Sequence, residues 1–397
     1  MTSRILFIEL STVVGGSVVS LFELARGLAA GGRFEPVVLF DGPHPATGMF
    51  QGAGIRTVHL TTRRREVGET ALGRLAGEQV PAAAELSRLL ASERFDLVHH
   101  NINLPRDRVN VLAVAAAGVP QVSHARNLCD LSPLDRLASR LPGCCVYVSR
   151  AVERHALGQG AAPRRRRVVY NPVDVDGATR GDGARLRAEL GLDPRRPVVC
   201  NIGRLESWKG QDVFLRALPE VLRHHDVTAL VVGELPARAR AAGYDRRIRE
   251  LIDGLRLGDH VVLTGHRTDV ADILAASDVA VHSARAPEPF GRVIVEAMAS
   301  GTPVIATAAG GVPEIVTDGE DGLLVPCGDP VALASTIVTV LDHPADARRL
   351  GAAGRRTAAE RFTVERHVAT MAGIYAQVLG LGRGGRVTPG VPARSVA

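Results

Sequence analysis

The stretch Val198-Val199-Cys200-Asn201-Ile202 is a short apolar run of strand length. The loop Gly203–Gly210 follows it, and the helical pattern Gln211–Leu222 comes next. A run that is apolar on both faces is typical of a strand buried in a parallel sheet. A strand, a loop and a helix in this order predict one repeating unit of a doubly wound α/β sheet.

The same alternation extends through most of the chain. In the first half the predicted strands are Ile5–Ile8, Val37–Phe40, Thr57–Leu60, Leu97–His99, Gln121–Ser123 and Val146–Val148. In the second half they are Val198–Ile202, Ala229–Val232, Val261–Thr264, Val279–His282, Val304–Ala306 and Leu323–Val325. Helical patterns lie between them, such as Val18–Ala30, Pro81–Leu90, Gln211–Leu222 and Arg246–Leu255. Two rounds of alternation predict two doubly wound α/β domains.

The boundary between these domains is expected near Asn171-Pro172-Val173-Asp174, which has the composition of a turn. We therefore place an N-terminal domain at residues 1–172 and a C-terminal domain at residues 173–361. Residues 380–397 lose all periodicity and predict a disordered tail.

Composition limits the kinds of partner. The 397 residues carry a formal net charge of +6, which favours nucleotides, phosphorylated substrates or acidic membrane surfaces. The basic runs Arg63-Arg64-Arg65 and Arg164–Arg167 are either solvated or attracted to anionic lipid or a phosphate-bearing acceptor. Zinc-finger spacing and aromatic RNA-binding motifs are missing, so nucleic acid is not expected.

Location and metal content also have sequence indicators. No signal peptide precedes the first strand, and no apolar run approaches the roughly 20 residues of a membrane span. The sequence therefore predicts a cytoplasmic protein that could contact the inner membrane face peripherally. Its five cysteines form no CxxC pair and no metal motif, so we expect small buried thiols and no metal.

The glycine pair Gly15-Gly16 lies between the first strand and the first helix. In a doubly wound domain this loop is at the carboxyl edge of the sheet, where ligands bind. Glycines there let backbone N–H groups approach an anion, but they also suit a tight turn equally well. The third glycine of GxGxxG is missing, so a nicotinamide site is disfavoured.

The loop Gly203–Gly210 brings two cations to the corresponding edge of the second sheet. They are Arg204 and Lys209, and Lys209 is the only lysine in the chain. Such a pair can neutralise a diphosphate whose negative charge grows as it leaves. Taken alone, a loop with two cations is more often simply solvated.

Two carboxylates, Glu288 and Glu296, lie eight positions apart across a Pro-Phe-Gly turn. The run Val293–Ala299 can form a helix, and eight helical residues rise by roughly 12 Å. The helix N-terminus between the carboxylates is an anion site. A sugar, a diphosphate and a ribose in a row would fit this arrangement, whereas two glutamates near a helix are more often solvated or capping residues.

Two more features allow alternatives. The loop Gly310-Gly311 could wrap a diphosphate or simply begin a helix. His124 ends a predicted strand, as His99 and His100 end another, and a histidine there is either a packing residue or a ligand contact. Nothing around these histidines suggests a metal site.

Taken in this order, the sequence motifs of the chain resemble those of the retaining glycosyltransferases of family 4, which have the GT-B fold. The matching motifs are Gly15-Gly16, Asn171-x-Val-Asp174, Gly203-Arg204, Lys209-Gly210, Ser277-Asp278, Glu288-Pro-Phe-Gly, Glu296-Ala-Met-Ala, Gly301-x-Pro303-Val304-Ile305, Gly310-Gly311-x-x-Glu314 and Gly322-Leu-Leu-Val325 with Asp329. The resemblance implies two Rossmann-like domains facing across a cleft. It also implies that a final helix, at about residues 362–379, crosses back to the first domain.

The family's functional residues can be carried over to matching positions. The resemblance implies that Glu288 contacts the donor sugar, that Glu296 holds the ribose, and that His124 lies beside the sugar. It further implies a diphosphate site formed by Arg204, Lys209, Phe290, Gly291, Gly15 and Gly16. No metal or other cofactor is needed. The chain departs from the usual pattern with Asn-Pro at 171–172 and with Arg292 at a commonly apolar position.

The implied activity is transfer of a sugar from a nucleotide-diphosphate sugar to an acceptor hydroxyl, with retention at the anomeric carbon. UDP-sugars are favoured over GDP-sugars as donors. The acceptor could be a lipid-linked sugar, a glycan precursor or a secondary metabolite. The alternatives are an epimerase or phosphorylase of the same fold, or a non-catalytic nucleotide-sugar-binding protein. A pyridoxal phosphorylase would need a second lysine, because Lys209 belongs to the diphosphate motif.

Overall fold

The computed structural model describes residues 2–61, 79–235, 240 and 243–381. Its contacts divide the chain into two compact units. The first unit comprises Met1–Val148, Val152–Tyr170 and Val364–Ala397, and the second comprises Ser149–Ala151 and Asn171–Thr363. The basic run at residues 63–65 lies outside the described residues, as do residues 382–397 of the expected tail.

Thirteen strands are found in the described ranges, and all of their pairings are parallel. They are β1 (Ser3–Glu9), β2 (Phe34–Phe40), β3 (Arg56–His59), β4 (Leu97–His100), β5 (Gln121–Ala125), β6 (Cys144–Tyr147), β7 (Arg166–Val168), β8 (Val198–Ile202), β9 (Thr228–Val232), β10 (Val261–Gly265), β11 (Val279–His282), β12 (Val304–Thr307) and β13 (Leu323–Val325). The first sheet has the order β3-β2-β1-β4-β5-β6-β7, and the second has the order β10-β9-β8-β11-β12-β13.

Helices connect the strands. They are α1 (Gly16–Ala30), α2 (Thr47–Gly52), α3 (Val80–Ser92), α4 (Leu104–Ala116), α5 (Pro133–Ala138), α6 (Arg150–Gly158), α7 (Val175–Ala178), α8 (Gly183–Glu189), α9 (Gln211–Val221), α10 (Tyr244–Gly254), α11 (Val270–Ala276), α12 (Arg292–Ser300), α13 (Pro330–Asp342), α14 (Pro344–Arg361) and α15 (Val364–Val378). None of the described helices is both long enough and apolar enough to cross a membrane.

Each sheet reverses its strand order once. The reversal lies between β1 and β4 in the first sheet and between β8 and β11 in the second. At such a point the two flanking loops leave the sheet in opposite directions, which opens a crevice at the carboxyl ends of the strands. The loops that follow β1 and β8 therefore border these crevices, which are the usual ligand sites of open α/β sheets.

The C-terminal helix α15 completes the core of the first unit. Met371 and Tyr375 are fully buried there, and the Tyr375 hydroxyl lies 2.8 Å from Nδ1 of His99. A Cβ added at Gly27 of α1 would come within 2.5 Å of a methyl group of Val368, so a larger residue there would force the Val368 side chain to move. This agrees with the final helix that the GT-B resemblance predicts for the first domain.

The second unit has an aliphatic core. Among the 23 buried members of its hydrophobic cluster, Phe214 and Tyr244 are the only aromatic residues. This follows from the low aromatic content of 4% in the whole chain. The cores are therefore built by packing branched aliphatic side chains between sheet and helices.

The structure confirms the twelve predicted strands, with ends that match or are shifted by at most three residues. The sequence missed β7, because Arg166-Arg167-Val168 is a short, polar edge strand without an apolar run. All five cysteines lie in the described ranges and are free thiols. Cys144, Cys145 and Cys200 are buried as expected, whereas Cys129 is half-buried and Cys327 is exposed.

Candidate functional site

The loop after β8 is fixed against the end of β11, across the strand reversal of the second sheet. Gly210 has φ +71°, and a Cβ there would lie 1.9 Å from the carbonyl oxygen of Ser283. The Ser283 hydroxyl donates a hydrogen bond of 2.8 Å to the Gly210 carbonyl. A residue with a side chain at position 210 would push this loop away from the sheet edge.

Lys209, at the end of this loop, reaches the first carboxylate of the predicted pair. Its Nζ donates a hydrogen bond of 2.6 Å to Oε2 of Glu288. Nε2 of His282, the last residue of β11, lies 3.2 Å from the same oxygen. Nδ1 of that ring lies 3.2 Å from the Thr307 hydroxyl at the end of β12. We call Lys209, His282, Glu288 and Thr307 the Glu288 cluster.

Glu288 is only 7% exposed, yet it remains ionised. Burial raises the pKa of its carboxyl, but the positive charge of Lys209 and the hydrogen bond from His282 outweigh that effect and hold the pKa at about 2. The cluster therefore combines an ionised acceptor of hydroxyl hydrogen bonds with an ammonium group at the edge of the sheet.

The glycine loop Gly310-Gly311 holds the backbone of Glu288. Gly310 has φ +68°, and a Cβ there would lie 2.1 Å from the Glu288 carbonyl oxygen. The Gly311 N–H donates a hydrogen bond of 2.7 Å to that oxygen. The loop then enters a short 3-10 helix, Val312–Glu314, and not an α-helix. Positioning Glu288 is thus the role that the structure shows for this loop, and no local sequence pattern indicated it.

Glu288 and Glu296 do not lie along one helix. Helix α12 begins at Arg292, four residues after Glu288, so the expected rise of eight helical residues does not apply. Gly291 precedes the helix with φ +99°, and no side chain caps the helix N-terminus. Phe290 is buried, with its ring 5.9 Å from that of Phe362. The Pro-Phe-Gly segment is therefore a turn with a buried aromatic side chain that leads directly into a helix N-terminus.

Glu296 is held by a residue whose role the sequence left open. Nη2 of Arg292 donates a hydrogen bond of 2.8 Å to Oε1 of Glu296, one helical turn away. Nη1 of Arg292 donates to the carbonyl oxygen of Pro172 at 2.5 Å. Arg292 thus orients the second carboxylate and ties helix α12 to the Asn-Pro turn.

Arg204 is connected to Lys209 through Glu206 and Trp208, which no sequence motif marked as site residues. Nη2 of Arg204 lies 3.3 Å from Oε2 of Glu206, and that oxygen also accepts a hydrogen bond of 3.0 Å from the indole N–H of Trp208. The Lys209 ammonium lies 4.2 Å from the centroid of the Trp208 ring. Glu206 is buried whereas Arg204 is partly exposed. The loop is therefore anchored by a buried carboxylate and carries a cation at its surface.

In the first unit, Gly15 and Gly16 form the N-terminal end of helix α1. A Cβ at Gly15 would meet no atom of the described residues within 4 Å, so packing does not demand a glycine there. Asn101, which follows β4, donates to the carbonyl of Ser17 and to the Glu9 carboxylate. Local packing thus gives no reason for the glycine. No sequence motif indicated the polar residues Asn101 and Glu9.

Arg126 extends the buried polar network of Asn101 and Glu9. Its guanidinium donates to the side-chain oxygen of Asn101 and, at 3.1 Å, to the Ser20 hydroxyl. Arg126 is 6% exposed, and Ser20, which its guanidinium contacts, is a residue of helix α1. Burial raises the pKa of Glu9, although hydrogen bonds from Ser11 and Asn101 and the charge of Arg126 act against that increase.

His124 lies on β5 and is completely buried. Neither ring nitrogen has a hydrogen-bond partner among the described residues, and the ring lies 5.5 Å from that of His99. Burial lowers the pKa of His124 well below its usual value, and the charge of Arg126 lowers it further. The side chain is therefore a neutral imidazole that keeps one N–H donor.

In the described part of the chain, no group of three or more His, Cys, Asp or Glu side chains is arranged to hold a metal ion. Positive charge at the second sheet edge comes from Arg204, Lys209 and the N-terminus of helix α12.

Two family models match the chain. Residues 14–177 match the family described as Glycosyltransferase Family 4, and residues 182–357 match Glycosyl transferases group 1. D-inositol 3-phosphate glycosyltransferase 1 of Catenulispora acidiphila is 31% identical, over 93% of this chain and 92% of its own length.

A D-inositol 3-phosphate glycosyltransferase of Mycobacterium sp. (strain KMS) is 42% identical over 48% of this chain, and the match covers 42% of that relative, less than half its length. Among solved structures, Anabaena HepE in complex with UDP-glucose has a TM-score of 0.82 and 28% identity. That match covers 94% of this chain and 99% of HepE.

Proposed function

Because this chain belongs to glycosyltransferase family 4, we propose that it transfers a sugar from a nucleotide-diphosphate sugar to an acceptor hydroxyl. The second unit binds the donor and the first unit binds the acceptor. The observation that carries this proposal is the Glu288 cluster, in which Lys209 and Glu288 meet at the strand reversal of the second sheet.

The proposed contacts follow the chemistry of each group. Lys209 and Arg204 bind the diphosphate, because ammonium and guanidinium groups form charge-assisted hydrogen bonds with phosphate oxygens. The N-terminus of helix α12, after Phe290 and Gly291, adds backbone N–H donors. The glycine N-terminus of helix α1 at Gly15-Gly16 offers the same kind of donors in the first unit.

The carboxylates recognise the two ends of the donor. Glu288 accepts hydrogen bonds from sugar hydroxyls, for which its ionised state at neutral pH suits it. Glu296, oriented by Arg292, accepts hydrogen bonds from the ribose hydroxyls. His124 donates its remaining N–H to the sugar. Its complete burial means that donor binding must expose the ring.

Catalysis in this proposal depends on the leaving group and not on a protein nucleophile. The sugar–phosphate bond breaks, the diphosphate leaves with the electron pair, and the acceptor oxygen bonds to the same face of the anomeric carbon. The acceptor proton passes to the departing phosphate. Lys209 and Arg204 stabilise the growing negative charge, so no metal is required and transfer should persist in excess chelator.

Known relatives suggest which substrates to test first. HepE, whose structure resembles this chain, was solved with UDP-glucose, which favours a UDP-sugar donor over a GDP-sugar. The relatives named for D-inositol 3-phosphate make that compound the first acceptor to test. Its phosphate agrees with the basic charge of the chain.

The test measures UDP or GDP release from candidate donors, with and without acceptor, and determines the anomeric configuration of the product by NMR. We expect acceptor-dependent release of UDP and a product that keeps the donor's configuration. Lys209→Met should lower kcat by about 10²-fold or more, as expected when one charge-stabilising donor is removed. Arg223→Met, which removes an exposed arginine of the same unit, should leave kcat unchanged. Nucleotide binding without acceptor-dependent release would favour a non-catalytic binding protein.

A further inference from the structure

Four leucines of the first unit are exposed to a degree unusual for this residue type. Leu134 is 64% exposed, Leu137 59%, Leu112 50% and Leu141 38%. They lie on or directly after two neighbouring helices, α4 and α5, and we call them the leucine patch. Scattered single leucines on a surface are ordinary, but a cluster of them marks an interaction site.

Helix α5 is fixed with its polar side inward. Ser132 and Asp135 form a reciprocal capping box, and Asp135 is 1% exposed. Arg108 of helix α4 adds an ion pair of 3.3 Å to the same carboxylate. These bonds hold Leu134 and Leu137, three residues apart on one helix, on the outward face.

The other two leucines extend this outward face. Leu112 lies one helical turn after Arg108, on the side of α4 that carries the ion pair to α5. Leu141 lies in the turn after α5, and its backbone N–H donates a hydrogen bond to the carbonyl of Ala138. The patch thus spans both helices and the turn after them.

Exposed arginines flank the leucine patch. Arg136 and Arg140 are exposed on and just after helix α5. A Cβ at Gly160 would lie 3.4 Å from Cδ of Arg136, which places the segment before Arg164–Arg167 beside this helix. Ser139, at the end of α5, accepts a hydrogen bond of 3.0 Å from the Ala162 N–H and joins the two segments.

The charges near the patch are mostly positive. All four residues of Arg164–Arg167 are exposed, and Arg166 forms an ion pair of 3.0 Å with Glu153. An apolar centre with cationic flanks is complementary to a bilayer that contains anionic lipid, since leucines enter the headgroup boundary while arginines meet phosphates. A second copy of the same surface would instead place arginines against arginines, which is repulsive.

We propose that the leucine patch and its flanking arginines dock the first unit onto the surface of a bilayer that contains anionic lipid. The surface belongs to the first unit alone and involves none of the residues assigned to sugar transfer. The proposal therefore stands independently of the proposed function, and a binding assay without sugars can test it.

The experiment is co-sedimentation of the full chain with vesicles of phosphatidylcholine alone or mixed with phosphatidylglycerol. We expect the wild type to sediment with the mixed vesicles and to be released by added salt, because salt screens the arginines. The double variant Leu134→Asp/Leu137→Asp should bind the mixed vesicles at least about ten-fold more weakly than the wild type. Val331→Asp is the matched control: Val331 is a 76% exposed residue of the second unit, and this variant should bind like the wild type.

A second variant separates docking from misfolding. Arg164→Gln/Arg165→Gln leaves the leucines in place and should reduce binding to mixed vesicles, with an unchanged far-UV circular dichroism spectrum. The proposal is overturned if the wild type does not sediment with anionic vesicles, or if folded Leu134→Asp/Leu137→Asp binds them like the wild type. A concentration-dependent dimer that only the leucine variant abolishes would assign the patch to self-association instead.

Discussion

Lys209 and Glu288 are 79 residues apart in the chain and share a hydrogen bond of 2.6 Å. The sequence marked each of them through local motifs, but no local pattern indicated that they pair with each other. The pairing arises because β8 and β11 are adjacent in the sheet, so the loops after them meet at one edge. His282 and Thr307 were missed for the same reason, since a lone polar residue at a strand end has no local signature.

The Lys209–Glu288 pair predicts a specific dependence of stability on pH. The pKa of Glu288 falls from an ordinary 4.5 to about 2 in the folded protein. Because the folded value is the lower one, ionised Glu288 stabilises the fold above pH 4.5. This stabilisation is lost as the pH falls through about 2.

Lys209→Met removes the positive charge that does most to keep Glu288 ionised, so the pKa of Glu288 should rise. We expect the variant to be less stable than the wild type at pH 7, and the difference to shrink as the pH falls from 4.5 towards 2. Urea unfolding followed by the fluorescence of Trp208, the only tryptophan, measures this difference in unfolding free energy for the second unit. Arg223→Met, at an exposed ion pair, should change little at any pH. A difference between Lys209→Met and wild type that stays constant from pH 7 to pH 3 would contradict the assigned ion pair.

At the scale of elements, the strands were predictable and the connections less so. Buried parallel strands are continuous apolar runs, and these are visible in one sequence; the polar edge strand β7 is not. The turn Gly310-Gly311 was recognised only as a possible phosphate loop or helix start. Its contact with the backbone of Glu288 depends on a β-bridge between segments 22 residues apart, which spacing alone does not reveal.

This contact predicts an effect of a single methyl group. Gly310→Ala should displace Glu288, because the new Cβ would lie 2.1 Å from the Glu288 carbonyl oxygen. Gly319→Ala is a close control, since Gly319 has a similar φ of +73° but no neighbouring atom within 4 Å. We expect Gly319→Ala to cost about 1–2 kcal/mol of unfolding free energy for its left-handed backbone. Gly310→Ala should cost more and also weaken nucleotide binding. Equal unfolding free energies and equal nucleotide affinities for the two variants would show that Gly310 does not position Glu288.

At the scale of the whole molecule, the first unit joins the segments Met1–Val148 and Val152–Tyr170 to a distant third segment that contains the helix Val364–Val378. The sequence indicated this helix by periodicity, and the family resemblance placed it on the first domain. The contact between Tyr375 and His99, 276 residues apart, could not be read from either segment alone.

The dependence of the first unit on this helix can be measured by truncating one side chain. Met371 is fully buried in the first unit's core, so Met371→Ala should lower the unfolding free energy by about 2–5 kcal/mol. Gln377→Ala, on the exposed side of the same helix, should have almost no effect. Urea denaturation followed by far-UV circular dichroism distinguishes the two variants. Equal stability of Met371→Ala and wild type would mean that helix α15 is dispensable for the first unit.

Chemical modification of the only lysine tests the proposed donor site most directly. An amine-selective reagent, followed by peptide mass spectrometry, reads the accessibility of Lys209 without interference from other lysine side chains. If Lys209 binds the donor diphosphate, UDP and UDP-glucose should slow its modification strongly, whereas uridine, which lacks phosphate, should not. If neither UDP nor GDP changes the rate of modification at any concentration, the diphosphate is not bound at Lys209, and the proposed donor site is wrong.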